Sequence, residues 1–290
     1  MEYVVIFNGL GNQMSQYAFY LSKKKTDPKC GLYIIDNPNE HNGYELKRVF
    51  GINYKDSFKD KLCKYIYDKG SVSRFHRFIK IMGVEKLYEP LNYDYTPALH
   101  QKLHGIKLLW GGWHSEKNFL NVENEVRQTF VFPVTDDKPY NELLESIRKD
   151  IASVSIHVRR GDYVNIRPDN YYQFGEVATD KYYQKAIEYI KNRVEAPHFY
   201  VFSNDIEWCK ENIKADKITF VTGNIGKNSW RDMQLMTECR HHIIANSTFS
   251  WWGAWLSKYE KTGIIIRPKW FIRNVETKDI YPERWINLNY

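Results

Sequence analysis

Cysteine is scarce in this chain of 290 residues, with four in all. Cys30, Cys63, Cys209 and Cys239 are scattered, with no C-x-x-C spacing and no histidine at ligand spacing. A disulfide framework and a structural zinc site are therefore not expected, and a reduced intracellular protein is the simpler reading. Long apolar runs are missing too: none approaches the ~20 residues needed to cross a bilayer. The opening Met1-Glu2-Tyr3-Val4-Val5-Ile6-Phe7 has neither the basic start nor the small-residue cleavage site of a secretory signal. A soluble, cytoplasmic protein is expected. Nucleophile elbow, phosphate-cradling P-loop and H-E-x-x-H zinc helix are absent. So are zinc-finger, basic-zipper and RNP signatures, which argues against nucleic acid as a partner.

What is present has globular proportions, with 43% apolar and 27% charged residues. The length suits one large domain or two of average size. Aromatic residues are plentiful; rings serve sugar-binding surfaces, but core packing uses them more. The formal charge of +7 is unevenly spread. Residues 55–86 hold nine Lys/Arg against four Asp/Glu, with Phe58, Leu62, Tyr65, Ile66, Phe75, Phe78, Ile79 and Met82 at largely helical spacing. A solvated helical face over a small core explains this stretch. Its functional reading is peripheral contact with an anionic membrane surface or an acidic partner.

Strands and helices alternate along the rest of the chain. Strand 3–7 leads through Asn8-Gly9-Leu10-Gly11-Asn12-Gln13 into helix 14–24, and strand 32–35 follows. Strand 154–158 precedes a long loop and helix 181–193, with Thr179 or Asp180 as N-cap. Strand 199–202 runs through Ser203-Asn204-Asp205 into a helix ending near Ile213. Helix 230–239, strand 242–245, Asn246-Ser247-Thr248, helix 249–257 and strand 263–267 complete the pattern, with Pro268 stopping the last. Such alternation predicts an α/β fold with mainly parallel sheets covered on both faces. Two Rossmann-like α/β halves fit, residues 1–135 and 136–290, with a helical insertion in the N-terminal half. Pro133, Asp136, Asp137 and Pro139 interrupt the pattern between them.

Residues 154–163, Val-Ser-Ile-His-Val-Arg-Arg-Gly-Asp-Tyr, carry the sharpest chemical signal. Val154, Ile156 and Val158 alternate with Ser155, His157 and Arg159, the period of a strand with one apolar face. Arg160-Gly161-Asp162 then forms a turn, so His157 and Arg159 leave one face of a strand end beside a loop. Open α/β sheets bind ligands at such loops. An imidazole and a guanidinium aimed together suit an anion, and arginine can grip a phosphate through two parallel hydrogen bonds. Against this stands an ion pair between Arg159 and a nearby carboxylate, with His157 as a satisfied core residue. The cell-adhesion reading of Arg160-Gly161-Asp162 is discarded, because the triplet abuts a buried-looking strand.

Other loops carry weaker signals. Asn246-Ser247-Thr248 offers hydroxyls and free N–H groups at a helix N-terminus, a seat for phosphate, though plain N-capping explains the same residues. Ser203-Asn204-Asp205 repeats that arrangement. Asp232, in the first turn of its helix, suits the macrodipole and has the acceptors for a guanine edge. Trp251, Trp252 and Trp255 read as core. Gly9-x-Gly11, a helix, a strand and Asp36 imitate a dinucleotide fingerprint, but Met14 stands where the third glycine should be. An NAD(P)-dependent oxidoreductase is the alternative this loop supports. Asn12 and Gln13 there are amides able to face a ligand. No two aspartates are separated by one residue, so the D-x-D metal clamp of many sugar transferases is missing.

Together these blocks resemble a known family. His157-Val-Arg159-Arg160-Gly161-Asp162-Tyr163 looks like the signature shared by α-1,2-, α-1,6- and protein O-fucosyltransferases. Gly9-Leu-Gly11-Asn12-Gln13-Met14, Phe202-Ser203-Asn204-Asp205 with Trp208-Cys209, and Asn246-Ser247-Thr248-Phe249-Ser250-Trp251-Trp252-Gly253-Ala254-Trp255 are similar to blocks of the bacterial α-1,2-fucosyltransferases, glycosyltransferase family 11. The four blocks come in the family's order, whereas residues 55–125 match nothing nameable.

The resemblance implies a GT-B-like fold and an inverting transfer of L-fucose from GDP-fucose, a co-substrate, with neither metal nor cofactor. The acceptor would be the 2-hydroxyl of a terminal β-galactoside, on an oligosaccharide or lipid-linked glycan for a surface polysaccharide. The N-terminal half would serve the acceptor and the C-terminal half the donor. By motif, Arg159 would hold the β-phosphate, His157 would lie against the nucleoside, and Asp232 would meet guanine. Ser247 and Thr248 would meet the phosphates, and Gly11 with Asn12 the pyrophosphate or fucose. Ser203, Asn204 and Asn246 complete the donor side, Gln13 and Tyr163 the acceptor side. Asp162 is the catalytic partner of Arg159, either as general base or by pinning Arg159 or Arg160. A sugar-binding protein of the same fold without turnover is the non-enzymatic alternative.

Overall fold

The computed structural model describes residues 1–39, 41–58, 60–62, 64–65, 84–164 and 173–288. Most of the basic helical stretch expected at 55–86 lies outside the described residues. The chain divides into two compact units, Met1–Pro133 and Val134–Tyr290.

The first unit contains β1 (Glu2–Ile6), α1 (Leu10–Thr26), β2 (Gly31–Ile34), α2 (Glu45–Phe50), β3 (Val84–Tyr88), β4 (Ile106–Trp110) and α3 (Glu123–Thr129). Its four strands run in the order β2-β1-β4-β3, every pair parallel. Tyr3, Val4, Val5 and Ile6 are all buried, as a central strand covered on both faces requires. Glu2 is buried as well, paired at 2.5 Å with Lys23 from the last turns of α1. Lys23 also donates to the carbonyls of Leu99 and Gln101, so the buried charge is met on several sides. The helix α1 starts at Leu10, earlier than its apolar period suggests, with Gly9 as extended N-cap. Gly11, Asn12 and Gln13 therefore form its first turn rather than a loop.

The second unit contains α4 (Lys138–Lys149), β5 (Ser153–Val158), α5 (Gly161–Val164), α6 (Asp180–Lys191), β6 (His198–Ser203), α7 (Ile206–Asn212), β7 (Ile218–Phe220), α8 (Trp230–Glu238), β8 (His241–Ile243), α9 (Thr248–Trp255), β9 (Ile265–Arg267) and β10 (Ile286–Asn287). The sheet order is β10-β9-β8-β5-β6-β7, again parallel throughout. Three strands wind out to one side of β5 and two to the other, the doubly wound Rossmann order. Two parallel α/β units of this kind give the chain its GT-B-like fold class.

Core packing explains the central strand. Val154, Ile156 and Val158 meet Tyr182, Tyr183, Ala186, Ile187 and Ile190 of α6, which starts from a Thr179 N-cap. The other face of β5, the polar one, is buried too. Ser155 is satisfied across the sheet, its Oγ 2.8 Å from His242 Nδ1. Trp251, Trp252 and Trp255 are buried, with ring centroids 5.1–6.0 Å apart, and Trp251 Nε1 donates to the Ile280 carbonyl. They are core, as expected, and bury large apolar areas beneath α9.

Candidate active site

Strand order fixes where the second unit can hold a ligand. The winding reverses between β5 and β8, and ligands of doubly wound sheets sit beyond the C-terminal ends of the strands there. Beyond β5 come Arg159 to Tyr163; beyond β8 come Asn246, Ser247 and Thr248. The Tyr163 hydroxyl donates to the Asn246 carbonyl at 3.3 Å, and the His157 and Phe249 rings lie 5.6 Å apart. The two loops singled out in the sequence are thus neighbours at the switch point.

Arg159 is the cation of this site. Its side chain is 30% exposed, and its Nε lies 2.8 Å from Oδ1 of Asp162. The Tyr163 ring centroid is 5.7 Å from its Cζ. Burial works against the charge, but the Asp162 carboxylate more than offsets it and holds the guanidinium above its ordinary range. This contact is of the kind the pinning role of Asp162 requires. His157 is buried, and desolvation together with the Arg159 charge pushes it down to about 3. It is a neutral imidazole whose Nδ1 finds no hydrogen-bond partner among the described residues, while Tyr183 donates to its carbonyl.

Ser203 and Asn204 do something other than the donor contact expected of them. Asn204 Oδ1 accepts the Arg160 backbone N–H at 2.9 Å, and Ser203 Oγ accepts the Asp205 N–H. Asp205 caps α7 and takes the Arg160 Nε at 3.0 Å, with the guanidinium 4.2 Å from the Trp208 ring. This second loop is a buttress for the Arg160-Gly161 turn. Gly161 is needed because a Cβ there would lie 2.3 Å from Asn204 Nδ2.

Ser247 caps α9 by accepting the Phe249 N–H, and Thr248 is half-buried in its first turn. Asn246 is buried and its amide nitrogen is spent on the carbonyls of Phe174 and Phe271, so it straps two loops beside Arg159. Tyr163 stacks on Phe174 with centroids 5.1 Å apart. It belongs to the Arg159 cluster. Asp232 is half-buried in the first turn of α8, pushed up to about 7 by desolvation against the opposing hydrogen bond from Asn224 Nδ2 at 2.7 Å. Asn224 was not legible as its partner.

In the first unit, Gly11 is buried and Asn12 half-buried at the N-terminus of α1. Gln13 is buried with every polar atom engaged: Nε2 donates to the carbonyls of Asn8 and Gly43, and Oε1 accepts from the N–H groups of Glu45 and Leu46. It has no capacity left for an acceptor sugar, which corrects its expected role. The dinucleotide alternative fails on similar contacts. Met14 is fully buried, and Asp36, which should meet a ribose, accepts the Tyr44 N–H at 2.8 Å. Sequence reading also passed over Glu89, a buried carboxyl just beyond β3; the Gly111-Gly112 pair after β4 was the available signal. Among the described residues no three His, Cys, Asp or Glu side chains gather as a metal cluster, and no helix is long and apolar enough to cross a membrane.

Comparison with known proteins agrees with this architecture. The profile of Glycosyl transferase family 11 matches residues 79–289. An α-1,2-colitosyltransferase of Escherichia coli is 34% identical over 97% of this chain and 96% of its own length. The O-antigen biosynthesis glycosyltransferase WbnK of Escherichia coli is 29% identical over 99% of this chain and 100% of its own. Human galactoside α-(1,2)-fucosyltransferase 1 is 32% identical over 65% of this chain and 52% of its own length. This chain is an enzyme that belongs to glycosyl transferase family 11.

Proposed function

We propose that this enzyme moves L-fucose from GDP-fucose to the 2-hydroxyl of a terminal β-galactoside, with inversion and without a metal ion, in the synthesis of a surface polysaccharide or lipid-linked glycan. The observation that carries the reading is Arg159 at the switch point, cationic, partly open and beside the N-terminus of α9. GDP gains negative charge as it leaves the sugar. A fixed guanidinium and helix N–H groups aimed at that charge stabilise the transition state more than the bound donor. Each such contact is worth roughly 2–4 kcal/mol in catalysis. The neutral His157 lies against the nucleoside and Asp232 takes the guanine N–H groups. The second unit serves the donor; the first, with Gly11 and Asn12, serves the sugars. The basic stretch 55–86 carries any contact with a membrane surface.

A second donor is favoured by one finding: the relative that is 34% identical over nearly the whole chain is named for colitose, the 3-deoxy counterpart of fucose. Both readings share the GDP site and the linkage and differ at one sugar hydroxyl. Incubation with GDP-fucose or GDP-colitose, lactose and excess EDTA tests them together. Transfer from GDP-fucose in EDTA is the expected result, with GDP binding seen by calorimetry. No transfer from either donor, alongside no GDP binding, refutes the proposal, whereas binding without transfer favours a sugar-binding protein.

A further inference from the structure

Helix α8 crosses over from β7 to β8 in a sheet whose strands all run parallel, so its first turn lies at the C-terminal edge of that sheet. Arg159 and Ser247 open on the same edge. Asp232 stands in that first turn, and the loop before the helix supplies its partner. The loop leaves β7 after Phe220 and turns on Gly223 and Gly226, both in the left-handed region at φ 92° and 55°. The Asn228 N–H donates to the Ile225 carbonyl at 3.1 Å and the Ser229 N–H to the Gly226 carbonyl at 3.0 Å, which ties the loop to the start of α8. Between the two glycines, Asn224 donates from Nδ2 to Asp232 Oδ1 at 2.7 Å. Among the described residues no other hydrogen bond reaches the Asp232 carboxyl, and the residue is half-buried, so Oδ2 keeps its acceptor capacity at an open edge.

Tying a loop to a helix does not require a carboxylate. An asparagine carbonyl at 232 would accept the same bond without the desolvation of a charge. What the carboxylate adds is its pairing pattern. Ionised, it only accepts, which suits the N1–H and N2 amino donors of guanine and repels the N1 acceptor of adenine. Protonated, it donates as well as accepts, and so suits adenine. Burial pushes the Asp232 carboxyl up to about 7, and the Asn224 bond opposes the rise. No neighbouring cation takes over that task. Helix α9, packed against α8, has no titratable side chain from Thr248 to Trp255. From α4, Tyr140 is pushed up by burial and, against Arg231, by the Asp232 charge, while Arg148 meets Glu238 at the far end of α8. Arg231 is engaged with Asp137 and Thr135, and Lys227 is exposed in the loop.

We propose that Asn224 sets the base specificity of the donor site, as a positioning residue that keeps Asp232 in the acceptor-only form guanine requires; this rests on the GDP reading above. Its Nδ2 occupies one carboxylate oxygen and leaves the other for the base. Without that bond the carboxyl takes up a proton near neutral pH, and the preference for guanine over adenine falls.

The test is calorimetric titration of the parent and Asn224→Ala with GDP and with ADP, from about pH 6 to 9. The two nucleotides carry the same diphosphate, so its own ionisation cancels in the ratio of their affinities. In the parent, the preference for GDP should be full above about pH 8 and fall towards tenfold per unit below about pH 7. In Asn224→Ala the fall should set in about one pH unit higher. The preference is then roughly fivefold below the parent's at pH 7 and within about twofold of it at pH 9. In an Asp232→Asn background, Asn224→Ala should bring no pH-dependent change. A preference lowered equally at every pH makes Asn224 a structural tie and overturns the proposal, as does a preference left unchanged. A parent whose preference stays flat over this range overturns it without any variant. A parent that does not bind GDP at all would instead refute the donor reading on which the proposal rests.

Discussion

The guanidinium Nε of Arg159 and Oδ1 of Asp162, three residues on, lie 2.8 Å apart at the mouth of β5. The carboxylate holds the Nε edge of the guanidinium, so a two-pronged grip on phosphate would use its terminal nitrogens. Arg159→Lys keeps the charge but loses that grip, and its turnover should fall at least a hundredfold with Tm nearly unchanged. Asp162→Asn should cost about tenfold, because it only loosens the arginine. The double variant should be no worse than Arg159→Lys alone, since both changes act through one group. Additive losses in steady-state kinetics would give Asp162 a separate role.

If Asp232 takes the guanine N–H groups as proposed, donor affinity should depend on pH. Free, it titrates near about 7 because burial disfavours its charge. Guanine N–H groups would favour the ionised form, so a bound nucleotide should lower the titration of the carboxyl. Affinity is then full above about pH 8 and weakens as pH falls through 7, approaching tenfold per unit. GDP-fucose is the ligand to titrate, because its esterified diphosphate does not ionise in this range. Asp232→Asn should bind roughly 10–100-fold more weakly above pH 8, with the pH dependence gone.

The turn after β5 depends on a side chain from the next strand. Asn204→Ala removes the acceptor of the Arg160 N–H, at a cost of about 1 kcal/mol in stability. The larger effect should be on turnover, tenfold or more, because Arg159 hangs from the same turn. Gly161→Ala crowds Asn204 Nδ2 and should reproduce it. Denaturant unfolding beside steady-state kinetics separates the two effects, and turnover unchanged in both variants would remove the buttress from the mechanism.

Local pattern carried much of this architecture. The period of residues 154–158 and the Thr179 cap each depend on neighbours a few positions away, and each marks a real element. Polar side chains were a different matter. An amide after a strand reads alike whether it faces a ligand or a distant backbone group, and Asn204 reaches back to Arg160 while Asn246 reaches Phe174 and Phe271. The second buried face of β5 was hidden for the same reason, since the partner of Ser155 is His242, on another strand. The upward shift of Asp232 comes from burial, which no motif encodes.

Gln13 gives the sharpest contrast between motif and role. The helix α2 starts at Glu45 after Tyr44, whose side chain supplies no cap. Gln13 Oε1 supplies one from α1 instead, accepting the first two N–H groups of α2 at 2.8 and 3.4 Å. Its Nε2 meanwhile closes the Asn8 and Gly43 carbonyls at 2.6 and 2.8 Å. Removing the amide leaves buried donors and acceptors unmet, at about 1–3 kcal/mol for the group. Gln13→Ala should therefore lower Tm by roughly 3–8 °C. Acceptor KM in the folded fraction should stay within twofold, because no polar atom of Gln13 is free to touch a sugar. A variant as stable as the parent but with acceptor KM raised tenfold would reverse that assignment and return Gln13 to the acceptor.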